Sequence, residues 1–166
     1  MIIIINLSNT IKSRQTKTKS NNMKTLIIYE SVYHHSSEMI AKTIGEVLHA
    51  QLMKAKDTDP VVLNDYDLIG FGSGIYNQRH HSSLFDLLNK LTVQDHKKAF
   101  VFSTNTFGIK LLHKPLNEQL ALKGFEVIGE YACRGYFSLF NIITINKSRP
   151  NADDVQKAKD FAKLLM

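Results

Sequence analysis

Short apolar runs alternate along this chain with stretches in which apolar residues recur every three or four positions. Thr25-Leu-Ile-Ile-Tyr29 is the first such run and reads as a buried strand. Met39, Ile40, Ile44, Val47 and Leu48 then share one face of a helix running from about Ser37 to His49. A weaker strand is predicted at Gln51–Lys54, and Asp59-Pro60 opens a turn or short helical connection. Leu68-Ile-Gly-Phe-Gly72 is a second buried strand. Leu84, Leu87, Leu88 and Leu91 repeat at i, i+3, i+4, i+7, an amphipathic helix with Ser83 as its expected N-cap and Asp86 three residues on. Ala99-Phe-Val-Phe102 is the next strand. Leu112, Leu116 and Leu120 mark a helix that stops at Gly124, with Pro115 tolerated in its first turn. Phe125 to Tyr131 is the last strand. Asn151 caps a closing helix to Leu165, with Asp153 and Asp154 in its first turn and Val155, Ala158, Phe161, Ala162 and Leu165 facing the core.

Strands that are apolar throughout, each followed by a helix, belong to a parallel sheet covered on both faces. Five of them predict a doubly wound α/β domain of three layers over residues 23–166. No internal repeat or second domain is visible.

Composition narrows the function. Apolar residues make up 43% of the 166 residues and charged residues 22%, an ordinary balance for a globular domain with a full core. No apolar run is long enough to span a membrane. One cysteine, Cys133, excludes an internal disulfide and a multi-cysteine metal site; it reads as a buried core residue at a strand end. A cytoplasmic location is expected. The net charge of +6 is uneven: residues 1–22 hold Lys12, Arg14, Lys17 and Lys19 and no acid. They read as a disordered or weakly ordered basic extension, with Met23 directly before the first strand. Residues 23–166 carry 17 basic and 15 acidic side chains without a dense Lys/Arg patch, so nucleic acid is not an expected partner.

Three loops leave strand C-termini, the edge of a parallel sheet where ligands bind. Ser31, His34, His35, Ser36 and Ser37 lie in the first, immediately before a helix. A helix start with hydroxyls holds phosphate through free N–H groups and the positive dipole end, without needing a lysine. Either histidine ring can donate to phosphate, or both can simply fill a polar loop. Zinc binding by His34, His35, His80 and His81 is disfavoured, because sequence neighbours point apart and no carboxylate or cysteine completes the set. The second loop holds Ser73, Gly74, Ile75, Tyr76 and Asn77; the third holds Ser103, Thr104, Asn105, Thr106, Phe107 and Gly108. Tyr76 and Phe107 offer aromatic faces to a planar ring. The hydroxyls and amide of the third loop can bind that ring's polar edge or satisfy a turn. Phosphate at the first loop and a flat heterocycle between the others describes a mononucleotide. No Gly-x-Ser-x-Gly elbow supports Ser-His-Asp hydrolysis.

On these residues the chain resembles the flavodoxin family from Lys24 to Leu165. Ser31-Val-Tyr-His-His-Ser-Ser-Glu38 is similar to the first loop of small flavodoxin-domain proteins with a His-His phosphate loop. Gly70-Phe-Gly-Ser-Gly-Ile-Tyr76 is similar to their second loop and Phe102-Ser-Thr-Asn-Thr106 to their third. Gly135-Tyr136 and Asn146-Lys-Ser-Arg-Pro-Asn151 resemble their C-terminal stretch. The chain departs from the usual Thr-Gly-Asn-Thr phosphate loop, having His34-His35-Ser36-Ser37, and it lacks the family's acidic surface. The resemblance implies strand order 2-1-3-4-5 with FMN at the switch point, for which flavodoxin is itself the standard illustration. It implies an electron-transfer protein or oxidoreductase, a monomer or homodimer, that works with redox partner proteins or a small-molecule acceptor. The three loops would bind FMN, with no catalytic side chain and no metal. Two alternatives remain open: an NAD(P)H-dependent quinone or flavin reductase, and a flavodoxin-like binding domain that has lost FMN.

Overall fold

In the computed structural model, residues 23–139 and 143–166 are described; the basic extension read at residues 1–22 lies outside them. Five strands form one parallel sheet: β1 (Thr25–Glu30), β2 (Gln51–Lys54), β3 (Leu68–Tyr76), β5 (Lys97–Asn105) and β6 (Phe125–Arg134). Their order is β2-β1-β3-β5-β6. Counted among themselves, these strands have the expected order 2-1-3-4-5. A two-residue β4 (Arg79–His80) folds back antiparallel on the end of β3.

Every residue of β1 is buried, as an apolar strand covered on both faces must be. On one face, Leu26, Ile28, Ile69, Phe71 and Val101 pack under α2 (Ser82–Lys90) and α3 (Lys114–Leu122). On the other, Ile27, Leu68, Phe100 and Phe102 pack under α1 (Ser36–Leu48) and α4 (Ala152–Lys163). Each fully buried Leu, Ile or Phe is worth roughly 1.5–3 kcal/mol over its exposed state, so both layers anchor the sheet. Cys133 is buried in the second layer, as expected, and burial pushes its thiol pKa up to about 12.

One face of β3 carries glycine at alternate positions because three rings lie on it. A Cβ on Gly70 would collide with the Phe100 ring, and one on Gly72 with the Phe102 ring. At Gly74 it would meet the Tyr76 hydroxyl at 2.8 Å. The Gly-x-Gly-x-Gly run is therefore a seat for aromatic rings, two in the core and one at the sheet's edge.

Several expectations change. β3 and β5 continue past Gly72 and Phe102, so Ser73–Tyr76 and Ser103–Asn105 are strand residues, not loops; their backbone groups still find ladder partners. The N-cap of α2 is His81, not Ser83: the His81 ring nitrogen accepts from the Ser83 N–H at 3.2 Å, so the helix starts two residues earlier than the Ser83-x-x-Asp86 pattern implied. Met39 is 44% exposed, because the buried face of α1 is centred on Ile40, Ile44 and Leu48. A small hairpin of β7 (Phe137–Leu139) and β8 (Ile143–Ile145) follows β6. Asn151 caps α4 and Pro115 lies in the first turn of α3, both as read from sequence; the structure adds that Asp154 answers Asn151 in a complete capping box.

Candidate functional site

The C-terminal ends of β1, β3, β5 and β6 open onto a cavity of about 490 Å³. Tyr33, His34, Ser36 and Ser37 line it from the turn that starts α1. Gly74, Ile75 and Tyr76 line it from the end of β3, and Thr104, Asn105 and Thr106 from the end of β5. Gly135, Tyr136 and Ser138 close it from the segment after β6. Among the described residues, no Lys or Arg lines it.

The α1 turn is built without glycine. His34 and His35 both adopt left-handed backbone, with φ of 55° and 53°. That conformation crowds Cβ against the following carbonyl and costs roughly 1–2 kcal/mol per residue. His35 occupies the N-cap but gives the helix no side-chain cap. Its Nδ1 lies 2.9 Å from Glu38 Oε2 instead. The first N–H groups of α1 are thus left without a side-chain acceptor, at the positive end of the helix dipole. Hydrogen bonds from Lys42 and then His35 hold the Glu38 carboxyl down to about 2, so this carboxylate is turned toward cations on the helix surface. Ser37 Oγ is 2.7 Å from Thr104 Oγ1 and ties the turn to β5. Ser36 Oγ and Ser138 Oγ are buried and have no hydrogen-bond partner among the described residues.

Aromatic rings frame the rest. The His34 ring meets Tyr136 edge-on at 3.8 Å between centroids. Tyr33 and Tyr76 lie 6.4 Å apart, and Tyr76 meets His81 edge-on at 5.6 Å. Burial raises the Tyr76 hydroxyl pKa, so it stays protonated at neutral pH. Tyr33 and Tyr76 also wall off an adjoining hollow of about 560 Å³. In it the Arg79 guanidinium lies 4.0 Å over the Phe85 ring.

The other sequence candidates lie behind the cavity or outside it. Ser31 is half-buried, and its Oγ has no partner among the described residues. Ser73 and Ser103 are adjacent in register and fully buried. Ser73 Oγ donates to Gly74 O and accepts from His80 Nδ1 at 3.0 Å and from the His81 N–H. Ser103 Oγ lies 2.8 Å from His113 Nε2, whose other nitrogen is 2.7 Å from Glu130. Burial lowers the pKa of both His80 and His113, against the raising effect of Glu130 on His113, which favours the neutral ring at both positions. Asn105 shapes the following loop: its Oδ1 accepts from the N–H groups of Phe107, Gly108 and Ile109. That geometry turns Phe107 outward, 71% exposed and not in the cavity lining, while Gly108 takes the positive φ of 68°. The histidines do not converge on a metal, and no group of three metal-ligating side chains occurs among the described residues.

Tyr33, Gly135, Tyr136 and Ser138 were not on the sequence list of site residues. Tyr33 sits inside the first loop that the serines flagged, and an aromatic there was the available signal. Ser138 carried none, because β7 places it.

A flavodoxin domain model matches residues 26–123. An uncharacterised protein of Methanocaldococcus jannaschii is 45% identical over 149 residues, which cover 87% of this chain and 99% of that protein. A flavodoxin from the domain Archaea superposes with a TM-score of 0.64 at 15% identity, over 84% of this chain and 94% of that one. Oxidised Flavodoxin 2 from Bacillus cereus gives 0.63 at 24% identity, over 84% and 95%.

Proposed function

This chain belongs to the flavodoxin domain family, and on that premise we propose that it binds FMN in the cavity and carries electrons. The observation that carries the reading is the pair of buried hydroxyls, Ser36 and Ser138, that have no hydrogen-bond partner among the described residues, in a cavity that also has the start of α1 without a side-chain cap. A buried hydroxyl without a partner costs about 1–3 kcal/mol, and a phosphate would remove that cost. A dianion held by N–H groups and hydroxyls needs no lysine. In this reading Ser36, Ser37, Ser138 and His34 hold the phosphate. Tyr76, Tyr33 and Tyr136 cover the flavin, and Thr104, Asn105 and Thr106 meet its polar edge. The cavity volume lies within the roughly 300–1,000 Å³ of small-ligand pockets, which suits one nucleotide rather than two.

When bound, FMN supplies the redox chemistry, taking up one or two electrons or a hydride. The protein positions the ring, excludes water from it and sets its potential. The buried Ser73–His80 and Ser103–His113 pairs hold the ends of β3 and β5 in place from behind. An absorption spectrum of the purified protein, followed by titration with FMN, FAD and riboflavin, tests the reading. FMN should bind tightest and be the flavin released by heat; no flavin uptake at all would leave a binding domain that has lost FMN. A second reading, a reductase of small quinones or flavins, is favoured by the hollow behind Tyr33 and Tyr76. Oxidation of NAD(P)H that depends on an added quinone would distinguish it.

A further inference from the structure

Behind the part of the cavity edge formed by the end of β5, four polar side chains are joined in a row. Glu130 Oε2 lies 2.7 Å from His113 Nδ1, and His113 Nε2 lies 2.8 Å from Ser103 Oγ. Ser103 Oγ accepts in turn from Asn105 Nδ2 at 3.1 Å. Ser103 and His113 are fully buried and Asn105 nearly so, while the Glu130 side chain is 31% exposed. The row therefore runs from the protein surface on β6, through the interior, to a residue that lines the cavity.

The two ends of the row fix the proton at every link. At the cavity end, Asn105 Oδ1 faces the N–H groups of Phe107, Gly108 and Ile109 at 3.1, 2.7 and 3.1 Å. Backbone N–H groups can only donate, so the amide oxygen belongs there and the amide nitrogen faces Ser103. Ser103 Oγ then accepts from Asn105, and its own proton goes to His113 Nε2. The neutral His113 ring carries its proton on Nδ1 and donates it to Glu130, whose carboxylate only accepts. The surface end demands the same order in reverse. A carboxylate beside Nδ1 holds the ring proton there and leaves Nε2 as the acceptor that Ser103 needs. Reversing one link alone would set two donors or two acceptors against each other.

The Asn105 amide is where this row meets the loop. Its nitrogen also donates to Ile109 O at 3.2 Å, so one amide closes both sides of the turn over residues 106–109. The Asn105 carbonyl accepts from the Gly135 N–H at 3.0 Å, and Asn146 donates to Thr106 O at 2.8 Å, so the segment after β6 is seated on the same turn. With its amide engaged inside the protein, Asn105 presents its backbone to a ligand. The Ser73–His80 pair on β3 and β4 looks similar, but its serine proton ends on Gly74 O, within its own strand. We propose that Glu130, His113 and Ser103 are positioning residues for the cavity: they hold the Asn105 amide in one orientation and so fix the edge, residues 104–109, that faces the bound ring. The effect on the ring rests on the FMN reading; the fixing of the edge does not.

The test uses the full chain, with circular dichroism to confirm that each variant is folded. In the flavin-free protein, nitrogen-15 NMR of the imidazole rings should show His113 protonated at Nδ1. Amide exchange at Phe107, Gly108 and Ile109 should be at least tenfold faster in Ser103→Ala than in the wild type, because the turn opens more often. Fluorescence titration of Ser103→Ala should show FMN and riboflavin weakened by the same factor, about fivefold, since this edge meets the ring and not the phosphate. His113→Asn is too short to reach Ser103 and should match Ser103→Ala. His113→Gln can bring an amide oxygen to the place of Nε2 and should stay within twofold of the wild type. Glu130→Ala should weaken both flavins at least twofold. Combined with Ser103→Ala it should add nothing further, because residues that act through one link are not additive. Leu120→Ala, a core change on α3, should lower the melting temperature and leave both affinities within twofold. If Ser103→Ala does not fold, Glu130→Ala at its partly exposed position carries the same readouts. A His113 proton on Nε2, unchanged amide exchange, losses that multiply in the double variant, a loss confined to FMN, or an equal loss in Leu120→Ala would overturn the proposal. A wild-type chain that takes up neither flavin would sink the FMN reading, and the tautomer and amide exchange would still decide whether the row fixes the edge.

Discussion

Replacing Ser36 by alanine should move stability and ligand affinity in opposite directions. Ser36 Oγ is buried without a hydrogen-bond partner among the described residues, at the first position of α1. Removing it relieves an unmade hydrogen bond that costs about 1–3 kcal/mol, and alanine leaves almost no new void. A net gain of about 1 kcal/mol raises the melting temperature by roughly 2–4 °C for a domain of this size. FMN binding should instead lose the bond from the hydroxyl to a charged phosphate, worth about 1.5–3 kcal/mol, or roughly 10- to 150-fold in Kd. Riboflavin has no phosphate and should lose less than twofold. Ser37→Ala is the internal contrast. Ser37 Oγ already bonds Thr104, so its loss should destabilise the ligand-free protein by about 1 kcal/mol and strand the Thr104 hydroxyl. Thermal melts without ligand and fluorescence titrations with both flavins measure all of this. A destabilised Ser36→Ala protein, or equal losses for FMN and riboflavin, would show that Ser36 does not face a phosphate.

Three other outcomes are expected. Gly72→Ala should destabilise the domain by about 1–3 kcal/mol in denaturant unfolding, because its Cβ would enter the Phe102 ring; Phe102→Leu in the same chain should recover part of the loss. His80 and His113 have folded pKa values below that of a free histidine, so the unfolded state takes up protons first. Their stabilisation is complete above about pH 6.5 and declines as pH falls below it, by at most about 1.4 kcal/mol per pH unit for each ring; His80→Gln should flatten that decline in urea melts from pH 7.5 to 5. Tyr76→Ala should weaken FMN binding and make the two-electron midpoint potential of the bound flavin less negative, because an aromatic cover disfavours added negative charge on the ring. An unchanged potential and affinity in a redox titration would reduce Tyr76 to a turn residue.

What the sequence determined by itself was the order of the elements and the edge on which they open. Continuous apolar strands such as Thr25–Tyr29, each followed by a 3.6-residue period, admit few arrangements other than a covered parallel sheet, and its ligand edge follows from the topology. Asn151 and Pro115 were legible for the same reason, since caps and helix starts are local chemistry. Tertiary structure decided which polar side chains face the cavity. Ser36 and Ser37 are neighbours with the same hydroxyl, and only the approach of β5 gives Thr104 to one and leaves the other without a partner among the described residues. Ser73 and Ser103 read as loop hydroxyls, yet the pleat turns them inward onto His80 and His113. Phe107 had the composition of a ring cover, but the Asn105 turn directs it to the surface, and Tyr33 and Tyr136 line the cavity instead. Periodicity assigns a residue to a face; only the packed neighbours determine whether its polar atom is satisfied, and an unsatisfied atom is what points to a ligand.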